Sequence, residues 1–299
     1  MASFGLRRKN LDGGPPRRRR TAYVLPSLFT SGNIFLGFLA VMHAFQGALA
    51  AHAGSYGANA DFETAAKAIG VAFVLDGLDG RIARMTNTVS DFGRELDSLA
   101  DVITFGIAPA VLAFAWGVDV ALPGGFLMDH RVGYFICFLF LVCGAARLAR
   151  FNVTTNPIPR NPGRPDRKYF VGLPIPAGAA LICAVVYAAD GAPIRWWLLS
   201  LFWLLLLALL SFLMVSTWRY PSFKEINLLR PRSPLTVVLI CCVLYLTWNF
   251  GQPFLLALAT SYVASGIIIR LAGIIRRRFR RNPPQHPVAA QHPSEQQIG

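Results

Sequence analysis

Four aspartates in or beside apolar sequence are the residues whose types and spacing could support chemistry. Asp76 and Asp79 are three residues apart, and Asp97 and Asp101 are four apart. Each pair therefore shares one face of its helix. Carboxylates near a bilayer core are costly and need compensating partners. Divalent cations take oxygen ligands and neutralise such charge, so the spacing predicts a site for two ions held by these four side chains.

An ion-pair network or a proton relay is the structural alternative for this acidic cluster. Arg84 is the basic residue placed on the face of the first pair. One guanidinium cannot balance four carboxylates, which favours the metal site over the ion-pair network.

The elements that must position the aspartates are membrane helices. Hydrophobic residues make up 54% of the 299-residue chain, charged residues 15%, and the mean hydropathy is +0.46. That composition excludes an ordinary soluble domain and predicts an all-α, polytopic integral membrane protein. Eight apolar segments are expected as transmembrane helices, at about 24–47, 63–83, 98–117, 132–152, 172–189, 196–217, 234–249 and 253–274.

The distribution of basic residues predicts the orientation. With the N-terminus in the cytoplasm, all of the 29 Lys and Arg residues except Lys67, Arg131 and Arg195 fall in cytoplasmic tails, connections or helix ends. This asymmetry favours eight helices with both termini cytoplasmic, and it places the aspartates at the cytoplasmic side. The formal charge of +14 is thus interpreted as attraction to a membrane surface, and no nucleic-acid partner is expected.

Three regions follow from these patterns. Residues 1–22 are expected to form a disordered basic tail, residues 23–275 the transmembrane domain, and residues 276–299 a second basic, disordered tail. Within the domain, the catalytic helices are expected at about 24–190. The helices at about 196–274 carry no motif and are expected to be scaffold.

The acidic stretch resembles the signature of the CDP-alcohol phosphatidyltransferase family. Its pattern is Asp76-x2-Asp79-Gly80-x2-Ala83-Arg84-x8-Gly93-x3-Asp97-x3-Asp101. The resemblance implies a membrane enzyme that uses CDP-diacylglycerol and two Mg²⁺ or Mn²⁺ ions, contacts membrane lipids and forms a homodimer. It also implies that Asp101 is both a metal ligand and the general base, and that Gly80, Ala83, Arg84 and Gly93 bind the CDP group.

Two further stretches resemble parts of the same family. The element Pro26-Ser27-x2-Thr30-x2-Asn33-x3-Gly37 is similar to one that frames the nucleotide, although Ser27 stands where the family usually has Asn. This resemblance implies that Thr30 and Asn33 bind CDP. The stretch from Ala146 to Asn152, followed by Tyr169 to Pro176, is similar to the phosphatidylserine synthase branch, which implies L-serine as the acceptor. Arg147 and Arg150 are three apart on one face and are expected to bind a phosphate or the serine carboxylate.

Two alternative functions remain open at this stage. The aspartate signature serves the shared half of the reaction, so glycerol 3-phosphate, inositol phosphate or choline could replace serine. A cation transporter is an alternative from another class, but the carboxylates cluster at one end rather than at the midplane. The expected location is a bacterial inner membrane with the active site facing the cytoplasm.

Overall fold

A computed structural model describes residues 19–55, 57–85, 91–121, 130–155, 169–221, 245–247 and 249–280. The described chain is a bundle of helices, as expected for an all-α membrane protein. Both predicted tails lie largely outside the described residues, but residues 19–22 and 276–280 are helical rather than disordered, because they continue the first and last helices. The helices are α1 (Arg19–His52), α2 (Gly57–Met85), α3 (Asp91–Asp101), α4 (Ala108–Gly117), α5 (His130–Thr155), α6 (Ile175–Ala188), α7 (Trp197–Val215) and α8 (Gly251–Arg280).

Five described stretches are long and apolar enough to cross a bilayer, which fits an integral membrane protein. They are Leu28–His52, Phe92–Gly117, His130–Val153, Trp197–Val215 and Gly251–Ile275. Helix α2 is long, but its charged side chains lower its hydropathy, as the sequence predicts for a helix that lines a site. Helix α6 has 14 residues and is short for a span. The predicted segment at about 234–249 lies largely outside the described residues, so the count of eight stays a prediction.

Helices α1 and α2 form a tightly packed antiparallel hairpin. The turn between them places Gly54 at φ +66°, a backbone conformation that favours glycine. Small residues let the two helices approach: the position of a side chain on Gly47 would be 2.9 Å from the ring of Phe62, which is fully buried. This close contact directs the end of α2, with its aspartates, toward α1.

Helices α3 and α4 form one rod joined by a π-helical turn, Val102–Ile107. The turn begins directly after Asp101 and is buried at Thr104, Phe105 and Gly106. A π-helical turn adds one residue to the helical repeat. The side chains after the turn therefore point to a different face of the rod than they would in a continuous α-helix. The turn therefore sets the aspartate face of α3 independently of the packing face of α4.

Helix α4, the C-terminal part of the rod, packs against α7 through two tryptophans. The rings of Trp116 and Trp203 are 5.0 Å apart at an interplanar angle of 72°. Trp203 Nε1 donates to the Ala113 carbonyl at 2.9 Å, and Ser200 Oγ donates to the Gly117 carbonyl at 2.6 Å. These hydrogen bonds satisfy buried polar groups and fix α7 against the rod.

A two-stranded antiparallel ribbon, which the sequence patterns did not predict, closes the aspartate end of the bundle. Strand β1 (Tyr169–Val171) precedes α6, and strand β2 (Arg219–Pro221) follows α7. Phe170 pairs with Tyr220. Helix α8 packs against both β2 and α6, so the ribbon and α6 together hold the last helix against the rest of the bundle.

Candidate active site

Helices α2 and α3 carry the four predicted aspartates at the same end of the bundle. Asp76 and Asp79 lie in the last third of α2, and Asp97 and Asp101 lie in the second half of α3. The structure describes the backbone of Asp79 but not its side chain. The helical spacing predicted from the sequence is therefore present at all four positions.

Three of these carboxyl groups interact directly. The side chains of Asp76 and Asp101 are hydrogen-bonded to each other, and Asp97 is close enough to Asp76 for their charges to repel. Two carboxyl groups share a hydrogen bond only through a proton, and a divalent cation can take that proton's place. Among the described side chains no group of three is already set at metal-ligand distances. The close, all-oxygen donor set nevertheless fits Mg²⁺ or Mn²⁺ in chemical type.

Helix α1 contributes the predicted nucleotide-binding residue Asn33. Asn33 is 0% exposed, and neither atom of its side-chain amide has a hydrogen-bond partner among the described residues. Its backbone carbonyl accepts a hydrogen bond from Thr104 Oγ1 at 3.0 Å, three residues after Asp101. A buried amide without a partner is costly, which indicates that a bound group completes it.

Thr30 lies one turn before Asn33 on α1 and is 5% exposed. Between them, the position of a side chain on Gly32 would be 3.3 Å from Leu75 Cδ2, the residue before Asp76. The structure therefore brings the predicted α1 element against α2 at the level of the aspartates.

The remaining predicted CDP-binding residues lie at the corner between α2 and α3. Gly80, Ala83 and Arg84 occupy the last turns of α2, and Gly93 lies in the first turn of α3. The side chains of Ala83 and Arg84 lie outside the described part of the chain. The contacts expected of the Arg84 guanidinium thus stay a prediction.

Arg147 lies on α5 beside the aspartates and is buried, with 6% of the residue exposed. Its guanidinium is within electrostatic range of Asp101, Arg150 and the Tyr262 hydroxyl. The guanidinium carbon lies 5.4 Å from the centre of the Phe151 ring, in a cation–π contact. Buried cationic charge next to a carboxyl cluster is suited to binding an anionic part of a substrate.

Arg150 lies one turn further along α5 and has different surroundings. Its guanidinium donates to the Val215 carbonyl at 3.1 Å, the Val171 carbonyl at 3.2 Å, the Met214 carbonyl at 3.3 Å and the Ser216 carbonyl at 3.4 Å. These carbonyls come from the end of α7, the residue after it, and β1. Arg150 therefore stabilises the junction of the helix with the ribbon, in addition to any role toward a ligand.

Two residues near the site were not singled out by the sequence patterns. Asn152 Nδ2 donates to Ser98 Oγ at 2.8 Å, which ties the end of α5 to α3 between Asp97 and Asp101. Tyr262 of α8, a helix expected to be scaffold, lies beside Arg147. The signal for Asn152 was its place in the stretch around Arg147; Tyr262 carries none that local patterns can detect.

An apolar cavity of about 530 Å³ lies on the other side of the bundle, between α1, α4 and α5. His52 and Asp119 are the polar exceptions in its lining, and their side chains are paired at 2.8 Å. The cavity contains none of the predicted site residues. Its lining suits hydrocarbon rather than a nucleotide.

Comparisons with known proteins identify the family of the chain. The family model described as CDP-alcohol phosphatidyltransferase matches residues 23–215. A Helicobacter pylori protein named CDP-diacylglycerol–serine O-phosphatidyltransferase is 36% identical over 264 residues, which is 87% of this chain and 96% of the relative. A Bacillus subtilis protein of the same name is 33% identical over 205 residues, 67% of this chain and 92% of the relative. A Saccharomyces cerevisiae protein of that name is 44% identical over 119 residues, 40% of this chain and 39% of the relative.

Proposed function

The chain belongs to the CDP-alcohol phosphatidyltransferase family, and from that premise we propose that it transfers a phosphatidyl group from CDP-diacylglycerol to L-serine. The products are phosphatidylserine and CMP. The observation that carries the proposal is the convergence of Asp76, Asp97 and Asp101 beside the buried Arg147. The names of the relatives support serine as the acceptor.

The reaction is a displacement at the phosphorus attached to the lipid. A bond forms between the serine hydroxyl oxygen and that phosphorus, and the bond from phosphorus to the oxygen of CMP breaks. The hydroxyl proton moves to a carboxylate oxygen of Asp101, the proposed general base. Asp101 is suited to this role because it adjoins both the carboxyl cluster and Arg147, the proposed acceptor-binding residue.

The four aspartates would hold two Mg²⁺ or Mn²⁺ ions. Bound divalent ions neutralise charge on the attacking and leaving oxygens of such a displacement. The support from this chain is the carboxyl donor set itself, with Asp76 and Asp101 in direct contact. The protein contributes the positions of the ligands, which the α1–α2 hairpin and the Asn152–Ser98 hydrogen bond hold in place.

We propose that the CDP group lies between α1 and the α2–α3 corner. Asn33, whose side-chain amide has no partner among the described residues, would form hydrogen bonds to the nucleotide, with Thr30 beside it. Gly80, Ala83 and Gly93 would permit close approach, because small residues leave the backbone accessible. Arg84 would pair with the diphosphate through its fork of donors.

The acceptor would bind on the α5 side of the aspartates. Arg147 is the primary candidate to bind the serine carboxylate, because its buried guanidinium faces the Asp101 region. Arg150, with its bonds to carbonyls, would support the position of Arg147 and add positive potential. This assignment places the serine hydroxyl next to its base.

We further propose an eight-helix topology with both termini cytoplasmic, in a bacterial inner membrane. The charge distribution supports this orientation. The active site would then face the cytoplasm, where nucleotides and amino acids are found. The proposed assembly is a homodimer, as the family resemblance implies.

CMP release by the purified protein in detergent micelles tests the proposed function. The assay combines CDP-diacylglycerol and Mg²⁺ or Mn²⁺ with serine, glycerol 3-phosphate, inositol phosphate or choline in turn. Of the four acceptors, we expect only serine to give CMP and a phosphatidyl product, phosphatidylserine. No CMP should be released after EDTA removes the metal. Product with glycerol 3-phosphate and none with serine would overturn the acceptor assignment. No CMP with any alcohol would favour a transporter.

A further inference from the structure

Helix α3 carries two of the four aspartates but packs against few other elements. In the described part of the chain it packs against α1 and against the π-helical turn that follows it. Helix α5 packs against the same turn and against α4, α6 and α7, but it is not extensively packed against α3. Side-chain contacts that bridge α3 and α5 are therefore important for the position of α3.

One such contact is the hydrogen bond between Asn152 of α5 and Ser98 of α3. Asn152 Nδ2 donates to Ser98 Oγ at 2.8 Å, and the bond is partly buried. Ser98 Oγ in turn donates to the Arg94 carbonyl at 3.0 Å, one turn earlier in α3. The single hydrogen of the hydroxyl is thus used within α3, which leaves its oxygen to accept from α5. The two bonds together join the Asn152 amide to the backbone of α3.

Ser98 lies in the part of α3 that carries the metal ligands. It directly follows Asp97 and lies three residues before Asp101. Residues three positions apart are only about 60° apart around a helix axis, so Ser98 and Asp101 share a face. A contact that fixes Ser98 therefore also fixes the rotation of both aspartates about the axis of α3.

The donor of this hydrogen bond belongs to a well-held end of α5. Asn152 lies two residues after Arg150, whose guanidinium donates to the Val215 carbonyl at 3.1 Å and to the Val171 carbonyl at 3.2 Å. These bonds attach the end of α5 to α7 and to strand β1. Asn152 therefore connects α3 to a part of the bundle whose position is set by other contacts.

We infer that Asn152 is a positioning residue that sets the affinity of the aspartate cluster for its divalent ions. The inference rests on the proposed use of the four aspartates as metal ligands. Carboxyl groups from α2 and α3 must reach the same ions, and metal sites lose affinity when the groups that hold their ligands in position are removed. Asn152 acts through Ser98, by keeping Asp97 and Asp101 turned toward Asp76 of α2. Without the bond, α3 can rotate, and the ions bind more weakly.

A double-mutant cycle on Ser98 and Asn152 tests this inference. The measured quantity is Mn²⁺ binding to the purified protein in detergent, followed by electron paramagnetic resonance. Ser98→Val and Asn152→Leu each remove the hydrogen bond, and we expect each to weaken Mn²⁺ binding about three- to tenfold, the usual effect of losing one such bond. The double variant should bind Mn²⁺ no more weakly than either single variant, because all three lack the same bond.

Ser98→Thr and Ser200→Ala are the controls. Threonine has the shape of valine but keeps the hydroxyl, so Ser98→Thr should bind Mn²⁺ with an affinity close to that of wild type. Ser200→Ala removes a hydrogen bond between two other helices, from Ser200 Oγ to the Gly117 carbonyl at 2.6 Å, far from the aspartates. It should lower the unfolding temperature and leave the Mn²⁺ affinity unchanged, which separates positioning from general stability.

Three results would overturn the inference: an unchanged Mn²⁺ affinity in Asn152→Leu, effects that add in the double variant, or an affinity of Ser98→Thr as low as that of Ser98→Val. Mn²⁺ binding does not require turnover. A protein that shows the expected cycle but forms no phosphatidylserine would therefore refute the proposed function alone. A wild-type protein that binds no Mn²⁺ would overturn both the inference and the proposed metal site.

Discussion

At the residue scale, the aspartates of the site have different neighbours although they belong to one motif. Asp76 shares a hydrogen bond with Asp101 and is repelled by Asp97. Asp101 lies between Asp76 and the cation Arg147. This carboxyl group therefore adjoins both the proposed metal ligands and the proposed acceptor position. Asp101 is therefore the member of the cluster best placed to take a proton.

The first prediction concerns Asp101. Asp101→Asn keeps the size of the side chain but cannot accept the hydroxyl proton, so kcat should fall by about 10²–10⁴-fold, the usual range for loss of a general base. Binding of CDP-diacylglycerol, measured by equilibrium titration, should largely survive. Glu95→Gln is the matched control, since Glu95 is exposed on the same helix and should retain wild-type turnover. A near-normal rate for Asp101→Asn would refute the base assignment.

The second prediction separates the two arginines of α5. Arg147→Met should raise the KM for serine about tenfold or more, because the buried cation beside Asp101 is lost. Arg150→Met should instead lower the free energy of unfolding by about 1–3 kcal/mol, because the four carbonyls lose a charged donor. Steady-state kinetics and thermal unfolding in detergent measure the two effects. Identical profiles for the two variants would contradict this division of roles.

At the element scale, the contact between α1 and the π-helical turn sets the height of Asn33 relative to Asp101. Thr104 bonds to the Asn33 carbonyl, and Gly37, one turn along α1, faces the same threonine. The position of a side chain on Gly37 would be 2.6 Å from Thr104 Oγ1 and 2.9 Å from Thr104 Cα. Backbone this close leaves no space for even a methyl group.

The third prediction follows from that contact. Gly37→Ala should separate α1 from the rod and lower the free energy of unfolding by about 1–3 kcal/mol, as overpacking generally does. It should also weaken binding of CDP-diacylglycerol, because Asn33 moves with α1. Gly70→Ala is the control: Gly70 lies within α2 with nothing described within 4 Å of the added methyl group, so it should be neutral or stabilising. Unfolding temperatures of the two variants in detergent test this prediction: only Gly37→Ala should unfold at a lower temperature than wild type.

The sequence predicted the helices that carry the aspartates because that information is local. Three- and four-residue spacings define a helix face whatever lies around it, and apolar length defines a candidate span. The π-helical turn, the ribbon and the bonds of Arg150 were not predictable in this way. Arg150 donates to carbonyls of α7, 65 residues away in the sequence, and several side chains with N–H or O–H donors could in principle satisfy them. Only the packed arrangement of α5, α7 and the ribbon determines that Arg150 is the donor.

At the scale of the whole molecule, the two ends of the bundle carry different chemistry. The aspartates and Arg147 lie at one end, together with the ribbon. At the other end, His43 pairs with Asp61 at 2.9 Å and His52 pairs with Asp119 at 2.8 Å.

The fourth prediction concerns orientation. Ser55 is exposed in the connection between α1 and α2, at the end opposite the aspartates. With the proposed topology, Ser55→Cys should react with a membrane-impermeant maleimide in intact cells, whereas a tag at the C-terminus should be cleaved by protease only in inverted vesicles. Wild type supplies the background from the five native cysteines, of which Cys137 and Cys183 are buried and Cys143 is half-buried. Labelling of Ser55→Cys solely in inverted vesicles would show that the orientation is the opposite of the one proposed.

The π-helical turn lets one continuous rod evolve as two modules. On its N-terminal side the helix must keep Asp97 and Asp101 aligned, whereas on the other side Ala113, Trp116 and Gly117 must fit the α7 tryptophan. Because the turn resets the helical phase, neither pattern has to continue through the other. Paired substitutions at the contact between α4 and α7 can therefore be tolerated while the aspartates of α3 keep their orientation. The packing of the bundle can change in this way without loss of the active site.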